Sequence, residues 1–249
     1  MSERKWYRCG GNEGDVVIST RVRLARNLRQ FPFPDRMSEE QKKETVSLLK
    51  EALAGEEMDC LAMHAMLHRD ALALVERHLI SPAFAASGEG SCLFLSKDES
   101  VSLMETEEDH LRIQVLRAGF DLNGAFAAAD ALDSKLDAQL HFEFHPSLGY
   151  LTQCPTNLGT AMRASVMLHL PALEEGGMIA KLAGMVSKLG MTMRGLYGEG
   201  SKPDGAFYQL SNQVTLGISE QQALENLKGI VLQVVREERA ARERMSQLP

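Results

Sequence analysis

The sequence predicts an α+β fold in which a mainly antiparallel β-sheet is flanked by helices. Three apolar segments, residues 91–97, 101–105 and 111–116, follow one another with only short polar turns between them. Runs of strands of this kind point to a mainly antiparallel sheet. Two capping boxes, 38–41 and 219–222, each open an amphipathic helix. Strands separated by helices and turns in this way favour α+β.

In the first half of the chain, the extended segment 15–20 leads into a basic stretch, residues 21–29. Residues 31–35 cannot be helical, because two prolines restrict themselves and the residues before them. The helix that begins after Ser38 is expected to end near Leu53. A second helix is expected over about residues 65–78.

In the second half, residues 139–145 alternate between polar and apolar side chains and predict a strand with one buried face. The other expected elements are helices at 156–169, near Pro155, and at 173–189; strands at 191–197, 206–210 and 213–216 around a flexible loop; and a last helix that reaches about Met245. We find no convincing domain boundary, so residues 1–249 are expected to form a single domain.

Composition excludes several classes of protein. The 249 residues carry 27 basic and 34 acidic side chains, a net charge of −7, and 44% are hydrophobic. This apolar content is too high for a disordered chain, and no run approaches the roughly 20 apolar residues of a membrane span. The acidic balance argues against a nucleic-acid partner. The four cysteines form no C-x-x-C pair and no export signal precedes them, so we expect a reduced, cytoplasmic protein.

Arginine nevertheless outnumbers lysine, 17 to 10, and arginine is suited to bidentate recognition of phosphate. Arg21 and Arg23 would share one face of an extended segment. Two adjacent guanidiniums repel each other unless an anion lies between them. The alternative is a solvated edge strand with surface salt bridges.

Residues 105–112 place four carboxylates within five positions, just before a strand. An ordinary acidic turn would have this composition. The functional hypothesis is that one carboxylate faces a site, where it accepts a proton or holds a cationic substrate, while Arg112 faces a phosphate.

Cys154 precedes the predicted helix at 156–169. A helix N-terminus favours a thiolate and offers N–H groups to anions, so Cys154 stands out from the other cysteines, although a buried structural thiol is the alternative. Residues 194–205 contain four glycines and Glu199, as expected of a loop that closes over a ligand. No metal site is predicted, because His64 and His68 lack a third ligand.

Together these motifs indicate phosphoryl transfer, which needs fixed positive charge around the phosphates and a group that aligns the nucleophile. Their order along the chain resembles the phosphagen (ATP:guanido) kinase family over about residues 16–242. The matching segments are 19–23, 107–112, 154–160 with Arg163, and 194–199. Within the family, segments 21–28, 195–201, 209–213 and 229–234 are most similar to the bacterial protein-arginine kinases.

The resemblance implies a glutamine-synthetase-like fold, a cytoplasmic enzyme, and ATP with Mg²⁺ carried on the nucleotide. It implies ATP-phosphate contacts for five arginines and a place for His78 near the nucleotide. Glu108 would be the main carboxylate that grips the guanidinium, Glu199 the second, and Cys154 would lie against a guanidinium nitrogen. The implied phosphate-binding residues are Arg21, Arg23, Arg112, Arg163 and Arg194.

The chain is therefore expected to be a single ATP:guanido phosphotransferase catalytic domain, residues 1–249, without the N-terminal domain of metabolic members or the C-terminal dimerisation domain of two-domain relatives. The expected reaction is phosphorylation of arginine side chains in proteins. A kinase for free arginine or another small guanidine is the first alternative. The second is a non-catalytic regulator that binds nucleotide or phosphoarginine. Thr106 stands where many members carry Asn.

Overall fold

The fold is built on one large antiparallel sheet and a small hairpin. The computed structural model describes residues 4–195 and 205–247. The strands in these residues are β1 (Val17–Arg26), β2 (Met58–Ala62), β3 (Cys92–Ser96), β4 (Val101–Glu105), β5 (Leu111–Ala118), β6 (Phe144–His145), β7 (Gly149–Tyr150), β8 (Met162–His169), β9 (Met191–Gly195) and β10 (Phe207–Asn212). The large sheet has the order β2-β3-β4-β5-β1-β8-β10-β9, and all its neighbouring strands are antiparallel. Strands β6 and β7 form the hairpin.

Helices lie on both faces of this sheet. Within the described residues they are α1 (Glu39–Ala52), α2 (His68–Glu76), α3 (Pro82–Ala85), α4 (Leu122–Leu140), α5 (Pro171–Glu175), α6 (Ile179–Lys188) and α7 (Glu220–Ser246). Helix α4 packs on β1 and β5, and α7 packs on β8 and β10. The main hydrophobic core lies between the sheet and α1, α4 and α7, whereas α2 and α3 pack on a smaller core on the opposite face.

Strand β1 shows why the sheet has two different faces. Successive side chains of a strand point to opposite sides. Val22 and Leu24 are almost completely buried in the main core, whereas Arg21 and Arg23 alternate with them and lie on the other face. The core therefore fixes the register of β1, because a slip of one residue would exchange the two sets.

The predicted α+β class with a mainly antiparallel sheet is confirmed, and so are its anchoring elements. Strands β3, β4 and β5 lie where three apolar segments predicted them. Helix α1 begins at a complete capping box in which Ser38 and Gln41 bond reciprocally. At the start of α7, the Ser219 side chain accepts a hydrogen bond from the backbone N–H of Gln222.

The helix predicted over residues 156–169 is wrong. Residues Pro155–Asn157 form one 3₁₀ turn, and the rest of the segment contains β8, which lies between β1 and β10. Alanine, methionine and leucine favour helices when a segment is isolated. Here the pairing partners on both sides and the buried core decide the conformation, so tertiary contacts override local propensity.

The strand predicted over residues 139–145 is also wrong for most of its length. It overlaps the end of α4, a helix of 19 residues that the sequence interpretation missed. His141 adopts a left-handed conformation that ends the helix. After it, Phe142 forms an isolated antiparallel bridge with Leu28, and Phe144–His145 pairs with β7. Smaller corrections concern residues 173–189, which belong to two helices, and residues 213–216, which follow β10 without being part of a strand.

Beneath the sheet, Arg26 makes a buried ion pair with Asp133 of α4. Its Nη2 lies 2.9 Å from Asp133 Oδ2, and its guanidinium carbon lies 3.5 Å from the centre of the Tyr150 ring. Arg26 also donates to the carbonyls of Ala25 and Thr160. The pair joins α4 to β1 and to the segment that leads into β8.

Asp133→Ala should reduce the free energy of unfolding by about 3 kcal/mol, because it leaves the buried Arg26 charge without its main partner. Chemical denaturation followed by circular dichroism measures this loss. Asp130→Ala changes an exposed aspartate of the same helix and should have little effect. Equal stability of the two variants would contradict a structural role for the buried pair.

Among the described residues, no helix has the length and apolar character needed to cross a lipid bilayer.

Candidate active site

The face of the sheet opposite the main core collects arginines from four strands. Arg21 and Arg23 lie on β1, and Arg23 is directly opposite Arg163 of β8. Arg112 of β5 is opposite Ala25, which shares its strand face with Arg23. Residues opposite each other in an antiparallel pair project to the same side. The strand register therefore brings together residues far apart in sequence, as the predicted phosphate site requires.

The arginines are close enough to perturb one another. Burial lowers the pKa of Arg21 to about 10, with a further contribution from Arg112. Burial, followed by Arg21, Arg112 and Arg163, holds the pKa of Arg23 well below its ordinary value. Among the described residues, the buried Arg23 Nε atom has no hydrogen-bond partner. Such a cluster is electrostatically unfavourable alone and is suited to a polyanion.

A cavity of about 660 Å³ opens on this face. Its polar side is formed by the guanidinium cluster and two glutamines, and its other side by apolar residues at the end of α2 and just after it. His78 lies in its wall and has a left-handed backbone (φ 58°). Burial, and then the Arg21 charge, lower the pKa of His78. The lining residues are Arg21, Arg23, Val75, Glu76, His78, Ile80, Ser81, Pro82, Met104, Arg112, Gln114 and Gln209.

Uncharged side chains hold the cluster in place. Arg21 Nη2 donates to Gln209 Oε1 at 2.7 Å, and its Nε donates to Ser165 Oγ at 3.3 Å. Gln114 Nε2 donates to the carbonyl of His78 at 2.9 Å. The sequence interpretation missed these glutamines. The i+2 spacing of Gln114 from Arg112 on one strand face is the signal that would have found the first.

The acidic turn between β4 and β5 gives its three carboxylates different surroundings. Glu107 Oε2 lies 2.5 Å from Arg112 Nη1, and Glu107 also accepts a hydrogen bond from Ser81. The buried Asp109 side chain accepts hydrogen bonds from Asn27 Nδ2 at 2.7 Å and from the backbone N–H of Gln153 at 2.8 Å. Glu108 has a side chain that is 40% exposed, and its Oε2 is 3.5 Å from Arg112 Nη2.

Glu108 is therefore the carboxylate available to a bound cation. Burial, and then the neighbouring Asp109 and Glu107 charges, raise its pKa, while Arg112 opposes the rise. The raised pKa increases the proton affinity of the Glu108 carboxylate. The roles of Glu107 in fixing Arg112, and of Asp109 in fixing the turn, are visible only in the folded chain.

Cys154 reaches this site by a different route from the one predicted. It precedes the single 3₁₀ turn Pro155–Asn157, so the helix N-terminus expected to favour its thiolate is absent there. Instead, Asp109 accepts hydrogen bonds from the Asn27 side chain and from the backbone N–H of Gln153. These bonds hold the segment that contains Cys154 beside the acidic turn. The partly exposed Cys154 thiol lies 3.0 Å from Thr156 Oγ1 and contributes to the electrostatic field at Arg163.

Of the remaining predicted residues, Arg194 lies on the edge strand of the sheet. Arg194 on β9 is opposite Gln209, the residue that accepts a hydrogen bond from Arg21. Burial, and then the positive charge of Arg194, lower the pKa of Arg163. Glu199 and most of the glycine-rich loop lie outside the described residues.

Glu105, at the base of the acidic turn, is buried with an elevated pKa. Burial raises that pKa from 4.5 to about 7, against hydrogen bonds donated by Thr106 and Thr45. Folding therefore favours the protonated acid. Its contribution to stability is fully present below about pH 4.5 and is lost as the pH rises through 7.

Glu105→Gln should remove this pH dependence. The free energy of unfolding at pH 8 should exceed that of the unmodified protein by about 3 kcal/mol, and the difference should disappear at about pH 4. Denaturant titrations at the two pH values measure it. The exposed Glu57→Gln variant serves as control, and a difference that does not depend on pH would contradict the assignment.

Comparisons with known proteins identify one enzyme family. A family model described as the C-terminal catalytic domain of ATP:guanido phosphotransferases matches residues 39–241. The chain is 45% identical to a "Protein-arginine kinase" of Halothermothrix orenii, over 95% of this chain and 69% of that protein. It is 44% identical to a protein of the same name from Shouchella clausii, over 97% of this chain and 69% of that protein.

Solved structures of guanidino kinases have the same fold. The duplicated taurocyamine kinase of Schistosoma mansoni, with bound components of a transition-state analogue, superposes with a TM-score of 0.83 at 27% identity. That match covers 100% of this chain and 36% of the other. Lombricine kinase superposes with a TM-score of 0.83 at 22% identity, over 97% of this chain and 70% of that one.

Proposed function

The chain belongs to the ATP:guanido phosphotransferase family, and on this premise we propose that it phosphorylates arginine side chains in proteins. The γ-phosphate of ATP would pass to a guanidinium nitrogen of the acceptor. The observation that carries the proposal is the convergence of arginines on one cavity beside a partly exposed carboxylate, Glu108. We assign the described residues to one catalytic domain, in keeping with the family model that spans 39–241.

The arginine cluster is suited to the phosphates of ATP. Arg21, Arg23 and Arg112 line the cavity, and Arg23 Nε has no hydrogen-bond partner in the described part of the chain. Phosphate oxygens would satisfy that donor and relieve the mutual repulsion of the guanidiniums. Arg163 and Arg194 would add positive charge where the transferred phosphoryl group moves. His78 and the apolar wall near Val75 and Ile80 would contact the nucleoside.

Mg²⁺ would arrive on the nucleotide. Magnesium retains several waters and commonly binds substrate phosphates with only one or two protein carboxylates. Among residues 4–195 and 205–247, no group of three or more histidine, cysteine or acidic side chains could hold a metal ion. Bound magnesium would supply charge neutralisation to the phosphates.

The acceptor presents the harder chemical problem. A guanidinium has a pKa above 12 and is a poor nucleophile when protonated. Glu108 would orient the acceptor nitrogen toward the phosphorus and accept a proton as the N–P bond forms. Cys154 would contact a second guanidinium nitrogen, and Glu199 would supply the second carboxylate. Alignment of the two reactants contributes to the rate by reducing the entropy lost in the transition state.

An arginine within a protein is favoured over free arginine as the acceptor, because the relatives at 44–45% identity are named protein-arginine kinases. The exposure of Glu108 is compatible with an acceptor attached to a polypeptide. No described residue is assigned to the α-amino or α-carboxyl group that free arginine would present.

The test is incubation with ATP and Mg²⁺ in the presence of either casein or free arginine. We expect label on casein arginines that is lost in acid, as expected of a phosphoramidate bond. Robust phosphorylation of free arginine alone would favour a small-guanidine kinase. Binding of ATP without transfer to either acceptor would favour a non-catalytic regulator.

A further inference from the structure

Cys60 and Cys92 form a pair of thiols on the face of the sheet opposite to the arginine cluster. Their Sγ atoms are 3.4 Å apart, and both cysteines are reduced. Cys60 lies on β2, opposite Phe94, and Cys92 lies on β3, opposite Ala62. The two residues are thus diagonal neighbours on one face of an antiparallel pair. The phosphoryl-transfer site uses neither thiol.

We propose that Cys60 and Cys92 are a reversible thiol–disulfide modification site, which a hydroperoxide oxidises and a small thiol reduces. A disulfide needs about 2.05 Å between the sulfurs, so the two atoms must approach by about 1.4 Å. Strand β2 is at the edge of the sheet and pairs only with β3 among the described strands, so it can make this adjustment.

The two thiols differ in exposure, which assigns their roles. Cys60 is exposed and reaches a dissolved oxidant first, whereas Cys92 is 5% exposed. Burial, and then the contact with Cys60, raise the pKa of Cys92 to about 12. Cys92 therefore stays protonated until the neighbouring sulfur has been oxidised.

The chemistry balances in two steps. The Cys60 sulfur bonds to one peroxide oxygen, the O–O bond breaks, and the products are a sulfenic acid and one water. The Cys92 sulfur then bonds to the Cys60 sulfur, and the sulfenic hydroxyl leaves with the Cys92 proton as a second water. Two thiols are oxidised to one disulfide, and one hydrogen peroxide is reduced to two waters.

The bond would restrain the part of the sheet that supports the acidic turn. Cys92 is directly opposite Glu105, the last residue of β4. The preceding Ser91 donates through Oγ to the carbonyl of Thr106 at 3.1 Å, and Thr106 has a left-handed backbone (φ 61°). Linking β2 to β3 therefore restricts both the sheet edge and the strand beneath Glu107 and Glu108.

The test is mild oxidation of the native protein with hydrogen peroxide, followed by intact mass measurement and peptide mapping. We expect a mass loss of about 2 Da, the two thiol hydrogens, and a cross-linked peptide pair that contains Cys60 and Cys92. Amide hydrogen exchange at residues 58–62 should slow several-fold after oxidation and return when dithiothreitol is added.

Two variants and an unfolded sample give the controls. Cys60→Ser should abolish the intramolecular cross-link, whereas Cys9→Ser, which removes another exposed thiol, should leave it unchanged. Oxidation in denaturant should give mixed pairings. If oxidation of the native protein modifies another thiol but leaves Cys60 and Cys92 unlinked, the proposed site is wrong. A cross-link without slower exchange would overturn the proposed restraint.

Discussion

Glu108→Gln should lower kcat by about 10³-fold, within the range that a positioned general base contributes. The amide keeps the size of the side chain but loses both the negative charge that orients a guanidinium and the capacity to accept its proton. The affinity for ATP should change little, because Glu108 approaches Arg112 only at 3.5 Å, while Glu107 holds it at 2.5 Å. Initial rates with casein and calorimetric titration with a non-hydrolysable ATP analogue measure the two effects.

The matched control is Glu89→Gln, an exposed glutamate whose Oε2 is 3.8 Å from Lys43, which should keep full activity. Glu107→Gln provides a useful contrast, since Arg112 would lose its close partner and the KM for ATP should rise. Unchanged phosphorylation by Glu108→Gln would contradict the role assigned to Glu108, whatever the other two variants do.

Arg23→Met should weaken ATP binding by about 100-fold, because it removes a charged donor that lies among the other phosphate contacts. The same change should raise the thermal unfolding midpoint of the protein without ligand. Burial and the charges of Arg21, Arg112 and Arg163 hold the pKa of Arg23 well below its ordinary value, so its positive charge opposes folding until an anion binds. Methionine keeps much of the side-chain volume without that charge.

Thermal unfolding with and without ATP separates these two effects of Arg23→Met. The original protein should gain stability from ATP, and the variant should lose most of that gain while starting from a higher midpoint. Arg29→Met is the matched control, since the Arg29 side chain is 69% exposed and its nearest ion-pair partner, Glu143, is 3.7 Å away. A variant that unfolds earlier without ligand and still responds fully to ATP would contradict the assignment.

Features that depend on local residue spacing were predictable from the sequence, whereas features that depend on long-range strand pairing were not. The alternation of β1 is local, so Arg21 and Arg23 could be placed on one face from their spacing alone. The helix N-caps at Ser38 and Ser219 are local too, and both helices begin where they were expected. By contrast, the segment after Cys154 has local preferences that favour a helix, and only its position between β1 and β10 makes it a strand.

The sequence by itself determined the fold class, the family resemblance and the residue types of the candidate site, because local spacing and ordered motifs carry that information. The tertiary structure decided which side chains meet. Strand register places Arg23 opposite Arg163, and inward bonds of Asp109 bring the Cys154 segment to the acidic turn. The tertiary structure also distinguishes Glu107, which holds Arg112, from Glu108, which is partly exposed to solvent. These differences arise from burial and long-range pairing, which depend on residues distant in sequence and exist only once the sheet has formed.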